Sequence, residues 1–128
     1  MIYFFALMIK GIGIDIVKIS RVTASYKKYG EKFLAKFLTK NEIGSLAAKN
    51  TPEHLGGIFA AKEATIKAVS GIVKKLPGFL DITIHNNAVG APVVNLDRKK
   101  LKIDKKIKLH LSISHEQEYA VATVVCEK

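Results

Sequence analysis

The sequence predicts an α+β domain: one N-terminal strand, then helices, then several antiparallel strands. Three observations carry that reading. Apolar and small residues alternate over 9–17, helical spacing with helix-start signals fills 19–70, and four short strand-like runs occupy the remainder. At 128 residues, with 48% apolar and 25% charged, the chain reads as one domain spanning 1–128. No repeat, low-complexity tract or linker interrupts it.

In residues 9–17 (IKGIGIDIV), Ile9, Ile12, Ile14, Ile16 and Val17 surround Gly11 and Gly13. β-branched residues favour a strand, and the glycines admit close approach of another backbone. From Ile19 the spacing turns helical, with Val22, Tyr26 and Tyr29 on one side, until Gly30 interrupts it. A second short helix runs through Phe33, Leu34 and Phe37. Thr39-Lys40-Asn41-Glu42 matches the capping box, in which hydroxyl and carboxylate satisfy orphan amides, and predicts a helix over about 40–49. Thr51-Pro52 pairs a cap with a first-turn proline and opens a helix to Ser70, with Gly71 as terminator. Phe79–His85, Pro92–Leu96, Lys108–His115 and Glu118–Cys126 read as strands, the last two joined by a turn at Glu116-Gln117.

Lys and Arg number 21 against 11 Asp and Glu, a net charge of +10. That excess predicts an anionic partner without choosing among nucleic acid, phosphorylated ligand, membrane surface and acidic protein. The single Cys126 excludes an intramolecular disulfide and a cysteine-cluster metal site, and fits a reducing cytoplasm. The opening MIYFFALMI is apolar, but spanning a bilayer takes about 20 such residues. It also lacks the leading positive charge of a secretory signal, so residues 1–7 read as an N-terminal extension, either an extra turn of strand or a loose tail.

Three places depart from plain patterning. On the 52–70 helix, Leu55, Ile58, Phe59, Ile66 and Val69 form an apolar face with Glu63 at its border, and Gly56 and Ala60 leave room beside it. Either Glu63 is functional or it makes an i,i+4 surface pair with Lys67. Lys62 falls inside the apolar sector, where its ammonium must snorkel or find a partner. Asp15 is an acid in an apolar strand, to be paired, metal-bound or used as a cap for the next helix. In Ser112-Ile113-Ser114-His115, alternation puts Leu109, Leu111 and Ile113 on one face and His110, Ser112 and Ser114 on the other. The strand-end His115 is then a candidate phosphate or proton partner, or an exposed turn histidine.

Four segments occur in one order: GIGIDIVKISRV at 11–22, FLTKNEI at 37–43, FAAKEATIKA at 59–68 and LSISHEQEYAVATVV at 111–125. Together they resemble the holo-[acyl-carrier-protein] synthases, the small class of 4′-phosphopantetheinyl transferases, over Met8 to Cys126. The resemblance implies the fold of that class and transfer of the phosphopantetheine arm of coenzyme A to a serine of apo acyl carrier protein, releasing adenosine 3′,5′-bisphosphate. It implies Mg²⁺ held by Asp15 and Glu63, in keeping with that ion's demand for carboxylate and phosphate oxygens. Glu63, or a water on the metal, would take the serine proton. Lys62 and Lys67 match lysines assigned to phosphate contacts or charge neutralisation. Ser114 and His115, with the turn at Gly71, match coenzyme A contacts, and Arg21 matches the basic position that meets the carrier protein. The resemblance also implies a homotrimer with sites at subunit interfaces, and no membrane association.

The sequence departs from the pattern twice. The glycine-rich stretch after KA is reduced to Val69-Ser70-Gly71-Ile72, and Gly90-Ala91-Pro92 lacks the usual lysine. Two other readings compete. Residues 97–108 (DRKKLKIDKKIK) carry seven Lys and Arg against two Asp, which suits a nucleic-acid-binding module as well as a solvated loop or helix face. Lysine dominates there and no tryptophan exists for base stacking, so nucleic acid is not the expected partner. A relative with the fold but no catalysis is disfavoured by the presence of both Asp15 and Glu63.

Overall fold

The computed structural model describes residues 7–46 and 51–128. Strand β1 (Ile9–Lys18) pairs antiparallel with the last strand, β5 (Tyr119–Glu127), which pairs in turn with β4 (Lys108–His115). The resulting sheet has the order β1-β5-β4, and β2 (Ile82–Asn86) with β3 (Pro92–Leu96) forms a second, two-stranded sheet. Four helices follow β1: α1 (Ile19–Tyr29), α2 (Glu31–Phe37), α3 (Lys40–Ser45) and α4 (Pro52–Val69). A one-turn helix, α5 (Arg98–Leu101), follows β3. The α+β arrangement is the expected one.

Local signals explain most boundaries. Gly30, at φ 60° and ψ −136°, occupies backbone space that side chains disfavour and separates α1 from α2. The capping box forms as read: Glu42 N–H donates to Thr39 Oγ1 at 3.2 Å, and Thr39 N–H to Glu42 Oε1 at 2.8 Å. The helix it opens spans Lys40–Ser45 among the described residues; residues 47–50, over which the expected helix would run on, lie outside them, as do 1–6. Thr51 caps α4 through His54 N–H, with Pro52 in its first turn. At the other end Ser70 closes the helix in αR geometry, and Gly71 has no positive φ, so it is not a left-handed terminator.

Three expectations change on packing. Tyr29 is exposed while Val22 is buried, so the apolar side of α1 stops one turn early. Phe79–Asp81 is a 3₁₀ turn and β2 begins only at Ile82; the Asp81 carboxylate accepts Gly78 N–H at 2.8 Å and fastens the turn. Finally, α4 is buried on much more than one stripe. Ala60, Ala61, Ala64 and Ala68 lie in the core, whereas Phe59 and Ile66 are half-buried. The cause is backbone contact with β1. A Cβ built on Gly13 would stand 1.9 Å from the Ala64 carbonyl oxygen, and one on Gly11 1.9 Å from that of Ala68.

The larger sheet therefore has two unlike faces. Ala120, Ala122 and Val124 of β5 are buried on the α4 side. On the other side Ile12, Ile14 and Ile16 are 65%, 59% and 65% exposed, beside Val125, Thr123 and Val121 of β5. The basic run is a solvated helix and turn: Asp97 caps α5, Lys102 adopts the left-handed conformation, and Ile103 and Ile107 anchor it in the core. No helix among the described residues is long and apolar enough to cross a membrane.

Candidate functional site

Asp15 lies opposite Ala122 in the β1–β5 register and shares its strand face with Gly11 and Gly13, the face against α4. It does not cap α1. The cap position is Lys18, without a side-chain bond, and Ile19 N–H donates to Glu118 O at 2.8 Å. Instead the Asp15 carboxylate meets Lys67 of α4, whose Nζ donates to Asp15 Oδ1 at 3.2 Å and to Ile14 O at 2.9 Å. Among the described residues the ion-pair partner of Lys67 is thus Asp15, not Glu63.

Glu63, one turn before Lys67, is half-buried and faces the same cleft as Asp15. Burial raises its carboxyl above the ordinary range, the Asp15 charge raises it further, and Lys67 opposes both. The cleft measures about 290 Å³ and is lined by both acids together with Lys18, Arg21, Phe33 and Phe59. Arg21, expected to meet an acidic partner, therefore stands at the rim of the acidic pair. Two carboxylates sharing a cleft form a hard oxygen donor set that fits a divalent cation of the Mg²⁺ type. No cluster of three or more His, Cys, Asp or Glu among the described residues is arranged for a metal. A cation there would complete its coordination with water and substrate phosphates.

Lys62 is a correction. Its expected role at a phosphate fails because its side chain is 0% exposed. The ammonium donates to Glu42 Oε1 at 2.6 Å, Phe37 O at 2.6 Å and Phe79 O at 3.1 Å, which uses all three of its protons inside the core. Burial lowers its pKa, with the Glu42 carboxylate opposing the fall. Its position in the apolar sector signalled the need for a partner. The partner is the capping-box glutamate, 20 residues earlier, which spacing alone does not identify.

Ser114, His115 and Gly71 are not brought to this cleft. Asp15 is opposite Ala122, His115 is opposite Ala120, and the whole of β5 stands between the two outer strands. Ser114 faces outward with His110 and Ser112, as the alternation predicts. Phe33 and Phe59 are cleft walls that sequence reasoning placed only in helices. Their signal was helical spacing, which also describes ordinary core residues.

Comparison with known proteins supplies the family. The family model described as the 4′-phosphopantetheinyl transferase superfamily matches residues 11–124. The holo-[acyl-carrier-protein] synthase of Protochlamydia amoebophila is 43% identical over 119 residues, 92% of this chain and 98% of that protein. That of Thermodesulfovibrio yellowstonii is 45% identical over 121 residues, again 92% and 98%. Among solved structures, the Helicobacter pylori enzyme in complex with coenzyme A is 39% identical with a TM-score of 0.75, covering 90% of this chain and 98% of that one. The Neisseria meningitidis enzyme is 34% identical with a TM-score of 0.81, covering 94% and 100%. Similar along nearly its whole length to proteins of one kind, the chain belongs to the holo-[acyl-carrier-protein] synthase family of the 4′-phosphopantetheinyl transferase superfamily.

Proposed function

We propose that the chain, acting as one transferase domain, moves the 4′-phosphopantetheine group of coenzyme A onto a serine hydroxyl of apo acyl carrier protein. Adenosine 3′,5′-bisphosphate leaves. The observation that carries this reading is the convergence of Asp15 from β1 and Glu63 from α4 on one cleft, with Lys67 and Arg21 at its edge. Those two acids would hold Mg²⁺, which when bound supplies charge neutralisation to the coenzyme A pyrophosphate. Glu63, or a water on the metal, would take the serine proton. Lys67, whose side chain is half exposed, has the reach to follow a phosphate oxygen from its place on Asp15. Arg21 and Lys18 offer positive charge to an acidic carrier at the mouth of the cleft.

The active unit is a homotrimer in this reading. Ile12, Ile14 and Ile16 form an exposed apolar ridge on an otherwise well-packed sheet, the kind of surface that marks an interface. A neighbouring copy on that face would supply the phosphate contacts of Ser114, His115 and the Gly71 turn, which one chain keeps away from its own Asp15 and Glu63. A cytoplasmic setting suits the reduced, buried Cys126.

The test is mass spectrometry of apo acyl carrier protein incubated with coenzyme A, Mg²⁺ and the protein. The carrier gains one phosphopantetheine mass with the parent and none with folded Asp15→Ala or Glu63→Ala. A carrier of unchanged mass after incubation with folded parent protein contradicts the proposal.

A further inference from the structure

Lys62 and Glu42 lie outside the cleft, yet two of the groups that Lys62 binds lead toward it. Lys62 immediately precedes Glu63 on α4. Two of its three acceptors are the backbone carbonyls of Phe37 and Phe79. Those residues belong to a ladder of four rings: Phe33 to Phe37 at 5.0 Å, Phe37 to Phe59 at 5.5 Å, and Phe59 to Phe79 at 5.5 Å. Phe33 and Phe59 are the aromatic walls of the Asp15–Glu63 cleft. Glu42 adds the remaining anchors. Its Oε1 accepts Thr39 N–H at 2.8 Å as well as the ammonium, and its Oε2 accepts Ile84 N–H at 2.8 Å. One buried pair thus joins α4 to the end of α2, the start of α3, the 3₁₀ turn and β2.

We propose that Lys62 and Glu42 are a positioning pair for the transferase site, fixing α4, with its Glu63 and Phe59, against the Phe33 wall of the cleft. Neither touches the substrates. The proposal rests on the transferase reading above and deepens it. Ordinary core residues would have met the packing requirement here without a charge. A buried ion pair is a costly element that hydrophobic residues often replace without loss of stability. What it adds is direction: three donor–acceptor bonds at fixed angles hold a helix against rotation, where apolar contact lets it slip.

The experiment compares the parent with Lys62→Met and with Lys62→Met/Glu42→Gln. The double variant leaves no uncompensated buried charge and serves where the single one fails to fold. All are measured at a temperature where circular dichroism shows them folded. The readouts are kcat, KM for coenzyme A, and Mn²⁺ affinity by electron paramagnetic resonance without substrates. Loss of a supporting shell predicts a fall of about tenfold or more in kcat and in Mn²⁺ affinity, with KM for coenzyme A within about twofold. Folded variants with unchanged kcat and Mn²⁺ affinity, differing only in melting temperature, overturn the proposal. So does a raised KM with unchanged kcat, which would return Lys62 to the phosphates. An inactive parent overturns the transferase reading instead, and the Mn²⁺ affinities still decide whether Lys62 and Glu42 position the two acids.

Discussion

Substituting Gly13 by alanine tests the contact on which the candidate site is built. The added Cβ would meet the Ala64 carbonyl oxygen at 1.9 Å and the Ala68 amide nitrogen at 2.8 Å. Both are backbone atoms, so no side chain can turn away. Restoring ordinary contact requires β1 and α4 to part by roughly 1.5 Å along that line. Overpacking of this kind costs about 1–3 kcal/mol, and the absence of a soft neighbour places this case near 3. For a domain of this size that lowers Tm by about 10 °C. The same movement carries Asp15 away from Glu63, because one rides on the strand and the other on the helix. A misplacement of about 1 Å between reacting groups can cost on the order of 100-fold in rate. Urea unfolding followed by circular dichroism gives the first quantity. Transferase assay at a temperature where the variant is folded gives the second. A Gly13→Ala protein within about 0.5 kcal/mol of the parent and equally active refutes the reasoning.

Three other outcomes are expected. Ile14→Asp puts a charge in the middle of the exposed ridge and should convert the proposed trimer to monomers by sedimentation or light scattering, with circular dichroism unchanged. Arg21→Glu should lower kcat/KM for the carrier protein several-fold while KM for coenzyme A holds, and it should flatten the decline of rate with added salt. Asp81→Asn should cost about 1 kcal/mol at neutral pH, because Asp81 accepts Lys100 Nζ at 2.7 Å and Gly78 N–H at 2.8 Å. The Lys100 hydrogen bond, aided by Gly78, holds the Asp81 carboxyl below the ordinary carboxylate range. Its contribution is therefore present above that range and lost as pH falls through the folded value, so parent and variant converge in acid melts.

The parts of the fold that could be read from sequence are those written in adjacent residues. Thr39 and Glu42 form their box three positions apart, Pro92–Leu96 and Lys108–His115 begin and end where the strand-like runs do, and Gly11 and Gly13 announced a close backbone neighbour. What spacing leaves out is anything decided by a distant partner. Lys62 showed its need for a counter-charge but not that Glu42 meets it. Phe79-Leu80-Asp81 has strand-like composition, yet Asp81 finds Gly78 and Lys100 and closes a turn. For the site, both acids were legible as misfits in apolar elements. Their convergence came only with the resemblance, which has both acids hold one ion; spacing does not give it, since it depends on how β1 lies across α4.

The residues of β1 answer to two different constraints in alternation. Positions 11 and 13 are closed by this chain's own helix, where any side chain collides with backbone. Positions 12, 14 and 16 face outward and are unconstrained within a single copy. A lone chain could fold with polar residues at all three. In the proposed homotrimer their isoleucines would make folding and assembly separable steps, and a freshly synthesised monomer would carry an adhesive stripe to water until it met its own kind. At high dilution such a protein would lose activity before it lost structure.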